Sequence, residues 1–155
     1  MSQSLLVSFV VEIFGAFLGV LGAIIISRKE HRKRANGLVM SLNDELGKVY
    51  IDISRRVYEK EVFFRYEIPV WEASLKSNIH IEIPYEVYKD YVDVYQMIEY
   101  ANLIEMEWCH CRIMDQTGTG ENLIRKSYIE MMATEREKLS AQIKKQIENV
   151  LKTKQ

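Results

Sequence analysis

The chain has 155 residues, of which 48% are hydrophobic, and a formal net charge of −1 at pH 7. This length leaves room for about one small domain beside a membrane or targeting segment. The balanced charge argues against a protein that binds duplex nucleic acid, because such a protein needs a strongly basic face.

The first predicted element is a transmembrane helix from Leu5 to Ile26, in which Glu12 is the one charged residue. A helix of about 20 apolar residues spans a hydrocarbon core of about 30 Å. A cleaved signal peptide is disfavoured, because the basic residues follow the apolar run instead of preceding it. The alternative is a buried hairpin or a soluble core helix.

A basic segment, Arg28-Lys29-Glu30-His31-Arg32-Lys33-Arg34, follows the apolar run, whereas residues 1–4 carry no basic side chain. The positive-inside rule therefore predicts a single pass with the N-terminus outside and the C-terminal domain in the cytoplasm. The predicted units are a transmembrane helix with a basic juxtamembrane segment, 1–34, and a cytosolic helical domain, 35–155. Five of the 21 Lys+Arg and two of the 22 Asp+Glu lie in the first unit, so the second has a formal charge of −4.

One face of the predicted membrane helix combines small residues with the carboxyl group. Ser8, Glu12, Gly15, Gly19 and Gly22 recur at spacings of three or four residues. Such small-xxx-small patterns allow close helix–helix approach, and a carboxyl group inside a membrane usually faces a partner helix. The pattern predicts a homo-oligomer. Alternatively, the glycines are incidental and Glu12 reaches the outer headgroups.

The cytosolic unit is predicted to begin with a helix over about 37–61, because apolar residues from Leu42 to Val57 share one face. Asn36-Gly37 is the one weak point between this helix and the membrane helix, so the two can form one continuous helix. Pro69 starts a short helix that ends at Lys76. The alternating segment from Ile79 to Ile83 fits a short strand or an extended loop, and the lack of a second convincing strand favours the loop.

Two long helices complete the prediction. Pro84 opens one that runs to about Met114, a turn occupies 115–120, and Glu121 begins the last helix. The predicted fold is all-α: a single N-terminal transmembrane helix followed by an antiparallel cytosolic helical bundle.

No pattern in the chain predicts catalysis, so we expect a protein that is not an enzyme and that carries no cofactor. Cys109-His110-Cys111 has a spacing of two, which points the thiols to different helix faces, and we expect no metal there. If the domain is cytosolic, both thiols should also stay reduced.

Cations alternate with aromatic residues near the break after the first cytosolic helix. Arginine binds phosphate in a bidentate manner and aromatic rings stack on bases, so the segment predicts a nucleotide pocket. Alternatively, Trp71 and the phenylalanines nearby are core residues and the arginines pair with neighbouring Glu. The candidate ligand-binding residues are Arg55, Arg56, Arg65, Tyr66, Trp71, Lys76 and His80.

The layout of one membrane helix followed by a compact helical domain resembles the membrane-bound accessory effectors of type III CRISPR systems, which bind cyclic tetra-adenylate. The region of Trp71 and Pro84-Tyr85-Glu86-Val87-Tyr88 is similar to other small membrane-anchored phage-defence proteins. The resemblance implies an antiviral effector of the bacterial inner membrane. Its cytosolic domain would sense a cyclic oligoadenylate, and its oligomeric transmembrane helices would then perturb the membrane.

The partners expected on this reading are membrane lipids, further copies of the chain and a cyclic oligoadenylate. The competing reading is a non-enzymatic, membrane-anchored scaffold without a ligand, or a subunit of a larger membrane complex in which Glu12 pairs with a basic residue of another protein.

Overall fold

A computed structural model describes residues 2–56, 63, 65–116 and 122–152; of residues 2–13, 56, 115–116 and 122–125 it describes the backbone alone. Every regular element within these ranges is helical, which confirms the all-α prediction. The elements are α1 (Ser2–Arg56), α2 (Pro69–Lys76), a 3₁₀ turn (Ile79–Glu82), α3 (Tyr85–Gln116) and α4 (Asn122–Lys152).

Helix α1 is continuous over 55 residues, which corresponds to about 80 Å at 1.5 Å per residue. It passes through Asn36-Gly37 without a break, as the weak helix-breaking signal allowed. The two parts of α1 have different surroundings. Nearly all side chains of residues 14–34 are exposed, whereas the apolar face from Leu42 to Ile53 is buried. The predicted end of this helix near residue 61 lies outside the described residues.

The core is formed by α1, α3 and α4, and the helical bundle is confirmed. Tyr91 and Tyr95 of α3 bond to Asn43 and Glu45 of α1, so these two helices run parallel. Helix α4 runs antiparallel to both. The parallel pair is possible because the connection between them crosses the bundle: its described part, residues 65–84, includes α2 and leads from the level of Asn102 back to the start of α3. The largest fully buried apolar side chains are Tyr66, Tyr91, Tyr95, Leu42, Leu46, Ile53, Ile98, Ile143 and Ile147.

The crossing segment is attached to the bundle by backbone hydrogen bonds to side chains. Asn102 of α3 accepts a hydrogen bond from the Tyr66 N–H at 2.8 Å and donates one to the Tyr66 carbonyl at 2.9 Å. This pair of bonds satisfies a buried backbone unit that lies in no helix. Helix α2 then begins at Pro69 and ends at Lys76, as predicted, because proline at the first helical position loses no hydrogen bond.

The segment after α2 is a 3₁₀ turn and not the extended loop or strand that its alternation suggested. Asn78 adopts the left-handed conformation (φ 57°), and the N–H of Ile81 then bonds to the Asn78 carbonyl at 3.2 Å. The turn buries Ile83 against the bundle and leaves Ile81 exposed. The prediction was wrong because a strand needs a partner edge, whereas this turn satisfies its own backbone.

Over the residues that the structure describes, no helix combines the length and the hydropathy needed to cross a membrane. The side chains of Ser8 and Glu12, which the prediction placed on an oligomer face, lie outside the described residues, as does the turn at 117–121.

Candidate functional site

A polar cleft of about 600 Å³ lies between α1 and the extended segment that leads into α2. Four carboxylates and two cations line it, so its charge is net negative. Its lining residues are Ser41, Asp44, Glu45, Lys48, Asp52, Arg65, Glu67, Pro69 and Val70.

Glu45 forms the inner wall of this cleft and is 4% exposed. Its carboxylate accepts hydrogen bonds from the backbone N–H groups of Val70 at 2.6 Å and Trp71 at 3.1 Å, and from the Tyr95 hydroxyl at 2.8 Å. The first two bonds cap the start of α2, where helix N–H groups have no partner of their own. Glu45 therefore joins α1, α2 and α3 at one point.

The same contacts change the acidity of the tyrosine. Burial, together with the nearby Glu45 carboxylate, raises the pKa of Tyr95 far above its ordinary value. The hydroxyl consequently stays protonated and serves as a hydrogen-bond donor to Glu45. This arrangement stabilises the junction of the three helices.

Two of the predicted ligand-binding residues lie in the core. Trp71 is 4% exposed and stacks on Tyr95 with ring centroids 4.4 Å apart. It also stacks on Tyr88, with ring centroids 5.9 Å apart. Tyr66 is buried, and its hydroxyl lies 3.4 Å from Ser140. Both rings pack against protein side chains, so the burial favours the core role over base stacking.

The structure does not bring the other predicted ligand-binding residues together in one place. Arg65 lines the cleft, and Lys76 is exposed beside Glu72 at 3.9 Å. His80 stacks on Tyr88 at 5.4 Å, while its Nδ1 lies 3.1 Å from the Ser74 carbonyl. The two remaining members of the set are at the end of α1: Arg55 is exposed, and the Arg56 side chain is outside the described part.

Metal-ligating side chains do not cluster in the part of the chain that the structure describes: no group of three lies close enough to hold an ion. Cys109 and Cys111, two residues apart on α3, are both half-buried. The Cys111 thiol lies 3.9 Å from a carboxylate oxygen of Glu107.

An ion pair between α3 and α4 was missed by the sequence reasoning. Arg136 donates to both oxygens of Glu105, at 2.9 and 2.8 Å, and its guanidinium lies 3.6 Å from the ring centroid of Trp108. The available signal was a single charge within each apolar stripe. Glu105 interrupts the series Ile98, Ala101 and Trp108, and paired charges are the usual explanation for such an interruption.

No family model, curated protein or solved structure matches this chain. The function therefore has to be argued from the chain itself. Besides the cleft, its second notable feature is the N-terminal part of α1.

Every residue of α1 between 14 and 26 is apolar or glycine, and the large side chains among them are exposed. Gly15, Gly19 and Gly22 lie among them, and a Cβ atom added at any of the three would meet no other atom within 4 Å. Contacts within the described part of one chain therefore do not explain these glycines. The exposed apolar residues are Phe14, Phe17, Leu18, Val20, Leu21, Ile24, Ile25 and Ile26.

Proposed function

We propose that this protein is a non-enzymatic, membrane-anchored effector in which α1 links a cytosolic helical bundle to the membrane. The observation that carries the proposal is the division of one continuous helix into two surroundings. Its residues 14–26 are all apolar or glycine and expose eight large side chains, and its residues 42–53 form part of the bundle core.

The exposed apolar part of α1, residues 14–26, requires lipid or protein around it to shield it from water. Burying a large apolar side chain contributes about 1.5–3 kcal/mol, so eight such side chains in water would be a large unfavourable term. A helix that is apolar all round is suited to lipid or to the interior of a larger assembly. The basic cluster that follows at Arg28–Arg34 favours lipid, because it marks the cytoplasmic side of a membrane helix.

The continuity of α1 provides the link between the two parts. Because no turn or loop separates Ile26 from Leu42, a tilt or rotation of the bundle moves the apolar segment with it. We propose that assembly of the apolar segments through Ser8, Glu12, Gly15, Gly19 and Gly22 is the output. Open space at the three glycines supports this, since it leaves room for the backbone of another helix.

For the input we propose a cyclic oligoadenylate that triggers an antiviral response. This part is supported by the resemblance in size and layout to the CRISPR-associated effectors, and by the exposed cations Lys48 and Arg65 at the cleft. The four carboxylates in the same cleft work against an anionic ligand. The ligand is therefore the part of the proposal most in need of a direct test.

A scaffold without a ligand is the second candidate, and one observation favours it. Leu103, Met106 and Ile113 expose apolar side chains on one face of α3. A face of this kind on a cytosolic bundle is suited to recruiting a partner protein.

The membrane part is tested by expressing the full chain in bacteria and extracting the membranes with alkaline carbonate. We expect the chain to stay with the lipid, and a Leu18→Lys, Leu21→Lys variant to be released. The matched control, Met40→Lys, changes an equally exposed apolar residue outside the apolar segment and should be retained. Release of the unchanged chain would contradict the proposed anchor.

The ligand part is tested on the full chain in lipid nanodiscs by titration with cyclic tri-, tetra- and hexa-adenylate. We expect saturable binding that Arg65→Ala weakens and that the exposed Lys152→Ala leaves unchanged. If none of the three binds while the chain remains anchored, the scaffold is the better description.

A further inference from the structure

We infer that the bundle rests on the membrane surface through the 3₁₀ turn and the start of α3, and that this contact requires anionic lipid. The contacting side chains are Ile79, Ile81 and Tyr85, which we call the interfacial ledge. The inference deepens the proposed function and rests on its membrane anchor.

The 3₁₀ turn is held against the basic segment of α1. Glu82, within the turn, lies 3.4 Å from His31 Nδ1 and 3.9 Å from Arg34 Nη1. These contacts hold the turn beside the basic segment of α1, although the two are about 50 residues apart in sequence. The ledge is therefore next to the part of α1 that would leave the membrane.

The distance of the turn from the end of the apolar segment is close to the thickness of the headgroup layer. His31 and Arg34 lie five and eight residues after Ile26, the last residue of the apolar segment, which is about 8 to 12 Å along a helix. The headgroup layer on each side of a bilayer is about 5–8 Å thick. A turn held at His31 and Arg34 therefore lies at the outer edge of the headgroups or a few ångströms beyond it, and its long side chains can reach the headgroups.

The interfacial ledge consists of exposed apolar and tyrosine side chains. Ile81 is 72% exposed and Tyr85 is 73% exposed, and Ile79 is also exposed. Apolar and tyrosine side chains next to each other are typical of membrane–water interfaces, because the ring sits among headgroups and the hydroxyl stays hydrated. The buried Ile83 fixes the turn to the bundle, so these side chains project from an ordered backbone.

The part of α1 next to the interfacial ledge is strongly basic. The five basic side chains Arg28, Lys29, Arg32, Lys33 and Arg34 are all exposed, on the part of α1 that the turn contacts through His31 and Arg34. Each Lys or Arg near an anionic surface strengthens binding, and apolar side chains beside such a cluster add insertion. Another protein would need a matching acidic and apolar surface, whereas an anionic bilayer supplies both properties where α1 enters it.

The test uses the full chain with Cys109 and Cys111 replaced by serine and one new cysteine at a time. The three variants are Ile81→Cys on the ledge, Leu18→Cys in the apolar segment and Leu103→Cys on the exposed face of α3. Each cysteine carries an environment-sensitive fluorophore. The chain is reconstituted in phosphatidylcholine vesicles with or without phosphatidylglycerol, and quenchers are placed in the lipid or in water.

We expect lipid quenching at Leu18→Cys in both membranes, quenching by headgroup-level quenchers at Ile81→Cys in the anionic membrane, and none at Leu103→Cys. Loss of quenching at Ile81→Cys in phosphatidylcholine alone is also expected. Tyr85→Cys provides a second ledge position if Ile81→Cys alters folding, which thermal unfolding of each labelled chain reports.

The outcomes separate the inference from the anchor. Quenching at Leu18→Cys without quenching at either ledge position overturns the ledge and leaves the anchor in place. No quenching at Leu18→Cys overturns the anchor, and the ledge with it. A ledge label protected from water but untouched by lipid quenchers indicates a protein contact and overturns the lipid assignment. Equal ledge quenching in both membranes overturns the requirement for anionic lipid.

Discussion

Glu105 of α3 and Arg136 of α4 form a two-point ion pair inside the bundle, with side chains 0% and 3% exposed. The pair joins the two helices, and the guanidinium also covers the Trp108 ring. Burying two charges is unfavourable unless each is the partner of the other.

Removing one member of this pair should therefore be strongly destabilising. We expect Arg136→Met to lower the free energy of unfolding by about 3–5 kcal/mol, because Glu105 would remain buried without its cation. The measurement is denaturant unfolding of the detergent-solubilised chain. Replacing both residues, Glu105→Leu with Arg136→Met, should recover most of the loss. The exposed Lys138→Met is the control, and an equal loss there would contradict the explanation.

The Glu45 junction should be the second sensitive point. Glu45→Ala removes three hydrogen bonds and leaves the buried Tyr95 hydroxyl and the start of α2 without this acceptor. We expect a loss of about 2–4 kcal/mol in the same unfolding experiment. Asp44→Ala, at the exposed neighbouring position, should change stability by less than about 0.5 kcal/mol. Similar values for the two variants would show that Glu45 does not join the helices energetically.

Stability should fall at alkaline pH because of the buried tyrosines. Burial, and secondarily Asp90, raises the pKa of Tyr91 from 10.0 to about 12. Between these values the unfolded chain loses the hydroxyl proton and the folded chain keeps it, so the stabilisation present below pH 10 is lost as the pH rises toward 12. Urea unfolding at several pH values measures the slope.

Tyr91→Phe removes one titrating hydroxyl and should reduce the alkaline slope to the part that Tyr95 contributes, although it also removes the 2.6 Å bond to Asn43 and lowers stability at neutral pH. Tyr100→Phe, at an exposed position on the same helix, is the matched control and should keep the original slope. A steep slope that persists unchanged in Tyr91→Phe would assign the alkaline loss to other groups.

The glycine face of α1 should control assembly. We expect Gly19→Val to reduce the oligomer fraction of the chain in detergent or bilayers, because a branched side chain prevents close backbone approach. Mass measurement of the solubilised protein gives the oligomer distribution. Ile24→Phe also adds three carbon atoms but on the opposite side of α1, and it should leave assembly unchanged. Equal effects of the two substitutions would remove the glycine face from the proposal.

The helices themselves were predictable because their signals are local. Apolar residues at helical spacing marked the C-terminal part of α1 and both long helices, and Pro69 and Pro84 marked two starts within one residue. The continuity of α1 followed from the weakness of Asn36-Gly37 as a breaker. The alternation at Ile79–Ile83 misled because a period of two over five residues also fits a 3₁₀ turn that exposes Ile81.

The candidate site was harder to predict, because whether its residues are buried or exposed depends on contacts with residues far away in the sequence. Trp71 and Tyr66 have the composition of a ligand pocket, and only their packing against α3 and α4 reveals a core role. Their partners Tyr88, Tyr95 and Ser140 lie 17 to 74 residues away, beyond any local pattern.

The sequence by itself determined the helical class, the helix starts near Pro69 and Pro84, and the apolar and basic character of the first 34 residues. These depend on spacing and composition along one element. The tertiary structure decided which polar groups are buried in pairs, where the cleft lies and that the 3₁₀ turn sits beside the basic segment of α1. Those features depend on the parallel packing of α1 and α3, which the crossing segment imposes and which no single stretch of sequence encodes.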